Sequence, residues 1–417
     1  MVAAFILRLG LAKCSAEAMA TAETRHVAIT LLTTGRFAGA FHVGGAATAH
    51  LSPVMPGVIA AAYSLFGVAT PLGDTVLRVL SIGLVELGIW LCFLIFGELG
   101  VARPVRLAAL AVAVLLPIQF SLEVCELALW EAPIGLVTLF AVLLACVRLD
   151  KRPTLDWTAL LGPIGGAAVL VVISPAIALG ALSAIALLTI RRLPFRRWPL
   201  VALVTATAVL AVSLPWALRN EAVLGRMIWT RSNANLEMAV AYNDTLLKVP
   251  DQRRAYQQRL AEIHPTAGAR GFAAMTAAGG EVAYNDLLGR QTHAWMAANP
   301  EGTVTLIERH IREYLVPPGW FFSTFGNAIA AGGGARGAVI GVILFFALFG
   351  GGLVAVRDRR ILYVVAPLVV MILPYIVVQP ILRYRYLVYT LSIFIAFDVA
   401  ARLWRYVHGR RTAPAAA

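Results

Sequence analysis

The sequence predicts an all-α polytopic membrane protein of about ten transmembrane helices, with amphipathic periplasmic helices and a helical periplasmic cap. Three observations carry that expectation. Only 14% of the 417 residues are charged, against about a quarter in a soluble domain. Hydrophobic residues make up 60% of the chain and fall in runs near the length of a membrane span. Basic residues gather in the short gaps between those runs.

The gaps hold Arg103 and Arg106, then Arg148, Lys151 and Arg152, then Arg191, Arg192, Arg196 and Arg197. Arg357, Arg359 and Arg360 fill another, and Arg402, Arg405, Arg410 and Arg411 the last. A net charge of +13 would suit nucleic acid, but charge placed this way is the signature of cytoplasmic loops. No nucleic-acid partner is expected. The four cysteines, Cys14, Cys92, Cys125 and Cys146, have no CxxC spacing and read as small core residues.

Taken in order, Val2–Ala12 is apolar but about half the length of a span, so it reads as a short first span or one shortened by a late start. Residues 13–75 form a first outer loop, in which Ala22–Thr34 spaces its apolar residues like a helix lying on a surface. Residues 52–67 suit a short span or an interfacial helix. If they do not cross, every later basic gap falls on one side, so the interfacial reading follows. Spans are then expected at 76–98, 104–122, 127–147, 157–173, 175–190, 199–217, 337–356, 361–378 and 384–404. Both termini become cytoplasmic.

Leu214–Asp244 is the seam of the chain. The apolar run ends at Pro215–Trp216, with Trp216 as an interface anchor, and Arg219–Asn220 opens the one long polar segment. Three regions follow: 1–217 with the first loop, the cap at 218–336, and 337–417. Within the cap, helical patterns lie at about 250–262, 280–298 and 301–315, and Gly332–Gly334 reads as a flexible return to the membrane.

Carboxylates in a membrane zone are costly, which makes them functional candidates. Glu23 opens the amphipathic segment and Glu131 sits at the outer mouth of a span. Either carboxylate can take a proton from a hydroxyl or hold a sugar, or can be a helix-start acid and a salt-bridged interface acid. Glu123 and Glu126 share Glu131's loop and compete with it. Arg383–Tyr384–Arg385 breaks the inside bias of arginine, and two guanidiniums flanking an aromatic suit a phosphate clamp or a lipid-headgroup anchor. His26, His42, His50 and His264 lack ligand spacing such as HxxxH, so no metal site is expected. There is no P-loop, dinucleotide fingerprint or nucleophile elbow, so an activated substrate must arrive by another route, such as the bilayer.

An ordered set of motifs resembles the bacterial GT-C glycosyltransferases, the group related to protein O-mannosyltransferases and the lipid A aminoarabinose transferase. The set begins with Glu23, Gly35–Arg36–Phe37, Thr48–Ala49 with Pro53 and Pro56, and Trp130–Glu131. It continues with Pro215, Trp216, Arg219, Asn220, Gly225, Arg226, Arg231, Ser232, Asn233, Leu236 and Glu237. Gly280, Glu281, Ala283, Tyr284, Asn299–Pro300 and the Arg383–Arg385 triplet close it. The resemblance implies an enzyme of the bacterial inner membrane that moves a sugar from a polyprenyl-phosphate donor to a glycan, lipid or protein acceptor on the periplasmic face. It makes Glu23 the base and Glu131 a second carboxylate. Arg219, Asn220, Arg383, Tyr384, Arg385 and His50 would then face the donor phosphate or the cavity. The family often has Asp or an acidic pair where Glu23 stands alone, and the first span is short here.

With arginines beside the leaving phosphate, the transfer is expected to need no cofactor and no metal. The rival class is a non-enzymatic transporter or assembly scaffold for lipid-linked sugars. A transporter predicts two related halves and broken helices with midplane charges, and the sequence has neither.

Overall fold

The computed structural model describes residues 2–14, 22–115, 123, 127–324 and 333–411. The described chain is helical, relieved by one isolated antiparallel bridge between Ala38 and Ala47. Three helices make up the N-terminal segment, the last two within the first loop. They are α1 (Val2–Cys14), α2 (Ala22–Thr34) and α3 (Val54–Phe66).

The first half of the bundle follows as α4 (Pro71–Glu98), α5 (Arg103–Leu115), α6 (Ala132–Asp150), α7 (Leu161–Ile173), α8 (Pro175–Arg192) and α9 (Trp198–Leu224). The start of α4 is fixed by Thr70, whose hydroxyl accepts from the Gly73 amide at 3.1 Å, with Pro71 at the first helical position. A cluster of short helices comes next: α10 (Ala234–Ala241), α11 (Asp244–Lys248), α12 (Gln252–Ile263), α13 (Ala269–Ala277), α14 (Glu281–Ala298), α15 (Pro300–Leu315) and α16 (Gly319–Thr324). The chain returns to the bundle through α17 (Gly333–Phe345), a π turn at Phe346–Gly350, α18 (Gly351–Arg357), α19 (Leu362–Val377) and α20 (Leu382–Arg411). A side chain at Gly350 would meet Val399 of α20 at 2.5 Å, so the glycine permits the close crossing beside the π turn.

Among the described residues, seven helical stretches are long and apolar enough to cross a membrane. They are Pro71–Glu98, Ala132–Asp150, Pro175–Arg192, Phe195–Leu224, Gly333–Arg357, Arg359–Val377 and Leu382–His408. The chain is therefore an integral membrane protein by length and composition. Trp157–Ile173 is apolar but shorter.

The boundary at the seam differs from the sequence expectation. The helix does not end at Pro215–Trp216: α9 runs through Pro215 to Leu224 and stops at Gly225, which adopts the left-handed conformation at φ 68°. Trp216 is consequently buried, and its Nε1 donates to the Thr230 carbonyl at 2.8 Å. It clamps the loop after α9.

Beside a small apolar cluster that packs α2 on α3 through Ala28, Met55, Ile59 and Tyr63, two larger cores organise the chain. The larger one fills the bundle between α4, α6, α8, α19 and α20. The other belongs to α10–α15 and includes Leu236, Tyr242, Tyr284, Leu288 and Leu306, with Ile381 from the α19–α20 turn. Bonds at that turn join the two. The Tyr242 hydroxyl donates to the Val377 carbonyl at 2.5 Å, and His310 Nδ1 lies 3.0 Å from the Ile376 carbonyl. Burial pushes His310 down to about 4, so at neutral pH the ring is uncharged and its Nδ1–H donates.

Inside the bundle Arg8 is fully buried. Its guanidinium donates to Glu123 at 2.8 Å, to Glu86 at 2.9 Å and to the carbonyls of Val114 and Ala113. Glu123 also accepts from the Tyr386 hydroxyl at 2.9 Å. One arginine thus ties α1 to α4, α5 and α20, which accounts for Glu123 as a structural acid. Glu126 and Cys125 lie outside the described residues. Cys92 and Cys146 are buried free thiols.

Candidate active site

A cavity of about 340 Å³ opens where the first loop, the short-helix cluster and the ends of the bundle meet. Of the residues singled out from the sequence, Glu23, His50, Glu131, Arg383 and Tyr384 line it. They sort into two groups of different character.

The acid–histidine group comes from three separated segments. Glu23 stands in the first turn of α2, His50 on the loop before α3, and His264 just past the end of α12. The Glu23 carboxylate lies 3.6 Å from His50 Nε2 and 3.8 Å from His264 Nε2, and it accepts from the Thr266 hydroxyl at 2.9 Å. Burial disfavours the charge on Glu23, but His50, His264 and the Thr266 hydrogen bond outweigh it and hold the carboxyl below its usual range. Burial likewise opposes a charge on His50, and Glu23, with Glu281 and Glu237 behind it, raises the imidazole above its ordinary value. His264 goes the other way, because burial prevails over its attraction to Glu23. The pairing thus favours charge on Glu23 and on His50, and disfavours it on His264.

One ligand atom from each of Glu23, His50 and His264 falls within a common 4.8 Å, so the three could also hold a metal ion. The absence of HxxxH spacing concealed this grouping, since such spacing reports only ligands carried by one element.

The arginine group closes the other side. Glu131, at the start of α6, receives the guanidinium of Arg231, which also donates to the Ile173 carbonyl at 3.3 Å. Arg383 lies with its guanidinium carbon 6.0 Å from the Trp130 ring and 5.3 Å from the Tyr384 ring. Tyr384 stacks on Tyr375 with centroids 4.3 Å apart. Asn233, Glu237 and Gln379 complete the wall, with Gln379 donating to Glu237. Arg231, Asn233 and Glu237 stood in the motif run of the sequence without an assigned role.

Three sequence candidates lie elsewhere. Arg219, part-buried on α9, donates to the carbonyls of Thr48 (2.7 Å) and Phe37 and packs over the Phe37 and Trp216 rings. Asn220 is fully buried and donates to the Ile228 carbonyl at 2.7 Å. Arg385 donates to the carbonyls of Tyr314 (2.6 Å) and Glu313, the unsatisfied end of α15. Arg219 also donates to Asn220 Oδ1 at 2.8 Å, and none of the three lines the cavity.

No protein-family model matches the chain, and no curated protein does. Among solved structures it is similar to the crystal structure of ArnT from Cupriavidus metallidurans bound to undecaprenyl phosphate. The two share 14% identity and a TM-score of 0.37, over 100% of this chain and 80% of that one.

Proposed function

We propose that the chain is a membrane glycosyltransferase of GT-C type, moving a sugar from a polyprenyl-phosphate donor to an acceptor hydroxyl or amine. The observation that carries the reading is the arrangement around one 340 Å³ cavity of a membrane bundle: a carboxylate with two histidines, and opposite them Arg383 against aromatic rings with Arg231 beside it. Attack at an anomeric carbon needs a base at the acceptor and positive charge at the departing phosphate. Glu23 is the base; it takes the acceptor proton as the new glycosidic bond forms. His50 and His264 hold that carboxylate and orient it. Arg383, with Arg231 beside it, receives the negative charge that grows on the lipid phosphate as the sugar–phosphate bond breaks. Glu131 holds Arg231 in place.

In this reading the cavity faces the periplasm, both termini are cytoplasmic, and α1, α5 and α7 join the seven long stretches to make ten spans. No bound metal is needed, so dialysis against a chelator leaves turnover unchanged.

The test is transfer from a series of polyprenyl-phosphate sugars by purified protein, alongside a glycolipid comparison of cells carrying wild type, the deletion and Glu23→Gln. The expected result is a product lost equally in the deletion and in Glu23→Gln. A product that disappears on deletion yet persists in Glu23→Gln would move the chain to the transporter or scaffold class.

A further inference from the structure

The two groups of the cavity sit on segments that are far apart in sequence and have no regular structure of their own: the loop carrying His50, and the 225–233 loop carrying Arg231. A single carboxylate joins them. Glu281, buried at the start of α14, accepts at Oε2 from the Thr48 hydroxyl at 2.5 Å. At Oε1 it accepts from the Ala49 amide at 3.0 Å and from the Ser232 hydroxyl at 2.5 Å. The Ser232 amide then donates to the Ala49 carbonyl at 3.0 Å, and the His50 amide to the Thr48 hydroxyl at 3.0 Å.

The sequence builds this junction deliberately at the helix start. Gly279 and Gly280 hold φ of 93° and 108°, conformations glycine adopts without strain, and so deliver Glu281 to the loops. The N-terminus of α14 favours a carboxylate at that place. One turn on, Asn285 accepts from the Leu236 amide at 3.2 Å and donates to the Glu281 carbonyl at 3.0 Å, bracing α10 against the same helix.

We propose that Glu281 is a positioning residue, whose carboxylate sets the separation between the Glu23–His50–His264 group and Arg231. It does not line the cavity and touches no reacting atom; it acts through Thr48, Ala49 and Ser232. Glutamine at 281 keeps the size but removes the charge, and its amide NH₂ is met only if the Thr48 or Ser232 hydroxyl turns from donor to acceptor, which weakens the tie between the loops. The turnover readout rests on the transferase reading; a second readout does not.

The experiment uses the full chain in detergent or nanodiscs, comparing wild type, Glu281→Gln, Thr48→Val and Thr48→Ser. For transfer, Glu281→Gln and Thr48→Val are expected to lower kcat about 10–100-fold, the scale of a misplacement near 1 Å. KM for the polyprenyl-phosphate sugar stays within about twofold, because binding depends less on that spacing than the transition state does. Thr48→Ser, which restores the hydroxyl, returns kcat to the wild-type level. Independently of any substrate, diethylpyrocarbonate modification of His50, read by mass spectrometry against the exposed His293, is expected to accelerate in the first two variants and not in Thr48→Ser. If wild type turns over no such donor while the histidine readout behaves as stated, the transferase reading fails and the positioning role stands. Unchanged His50 reactivity, with kcat per folded molecule equal to wild type and only thermal stability lowered, overturns the proposal.

Discussion

Two arginine–carboxylate sites in this molecule use the same chemistry for opposite ends. Arg8 is sealed inside the bundle with Glu86 and Glu123, while Arg231 meets Glu131 at the wall of an open cavity. Arg8 spends its donors on two carboxylates and two carbonyls, and its acids are closed in by Tyr386 and apolar side chains. Arg231 makes one ion pair and one carbonyl bond beside a space large enough for a ligand. A paired charge in a membrane zone is therefore not in itself a functional site. What separates the two is whether any polar surface of the pair is left facing a cavity.

The sharpest way to break that comparison is to remove each arginine. Arg8→Met leaves two carboxylates buried without their counter-charge, a loss on the scale of about 3–5 kcal/mol. The expected outcome is collapse of the folded yield, read by fluorescence-detected size exclusion from membranes. Arg231→Met leaves Glu131 beside an open cavity that water can fill, so folded yield holds. Turnover of the donor falls about 100-fold or more, as when one preorganised donor to a developing negative charge is removed. If Arg8→Met folded normally, or Arg231→Met lost its fold as readily, the distinction between sealed and open pairs would be wrong.

The same distinction explains what could be read from the sequence. Helices with clear apolar spacing or punctuation were legible: α2, α12, α14 and α15 stand within a few residues of their expected limits. Glu23, Glu131, Arg383 and Tyr384 stood out because charge and aromatics at a membrane edge demand a partner, and they line the cavity together with His50, which entered with the family resemblance. That demand does not say which partner answers it. Arg385 satisfies the end of α15, Arg219 satisfies two loop carbonyls and Asn220 a third, and backbone carbonyls leave no trace in a sequence pattern. His264 escaped for the converse reason, since it becomes informative only once the fold sets it beside Glu23. Pro215 misled as a helix stop because α9 tolerates a proline in its interior.

Within the open group, Arg383 and Arg231 differ in a way that predicts unequal effects. Arg231 is engaged by Glu131, whereas Arg383 is packed against the rings of Trp130 and Tyr384. Arg383→Gln is expected to raise KM for a polyprenyl-phosphate sugar about tenfold, the worth of one hydrogen bond to a charged group. Folded yield should be retained. Competition by polyprenyl monophosphate alone should weaken in parallel, and a variant that bound the monophosphate as well as wild type would remove Arg383 from the donor site.

The smallest expected effect probes the acid–histidine group, whose charge is set by pairing across loops instead of by sealing. His50 is raised above its ordinary value by Glu23, so folding favours its protonated form. Its contribution to stability is complete below the unfolded value of about 6.5 and is lost as pH rises through the folded value. Glu23, held below its usual range, contributes above the unfolded carboxylate value and loses that contribution as pH falls through its folded one. The thermal midpoints of wild type and His50→Asn should accordingly differ most near pH 6 and converge as pH rises. At pH above the folded value, Glu23 is a carboxylate without its imidazolium and is the stronger base, so turnover rises with pH over the same window in which stability falls. A difference in midpoint that grew with pH would mean that His50 is neutral in the folded protein, and Glu23 would then owe its low range to something other than this pair.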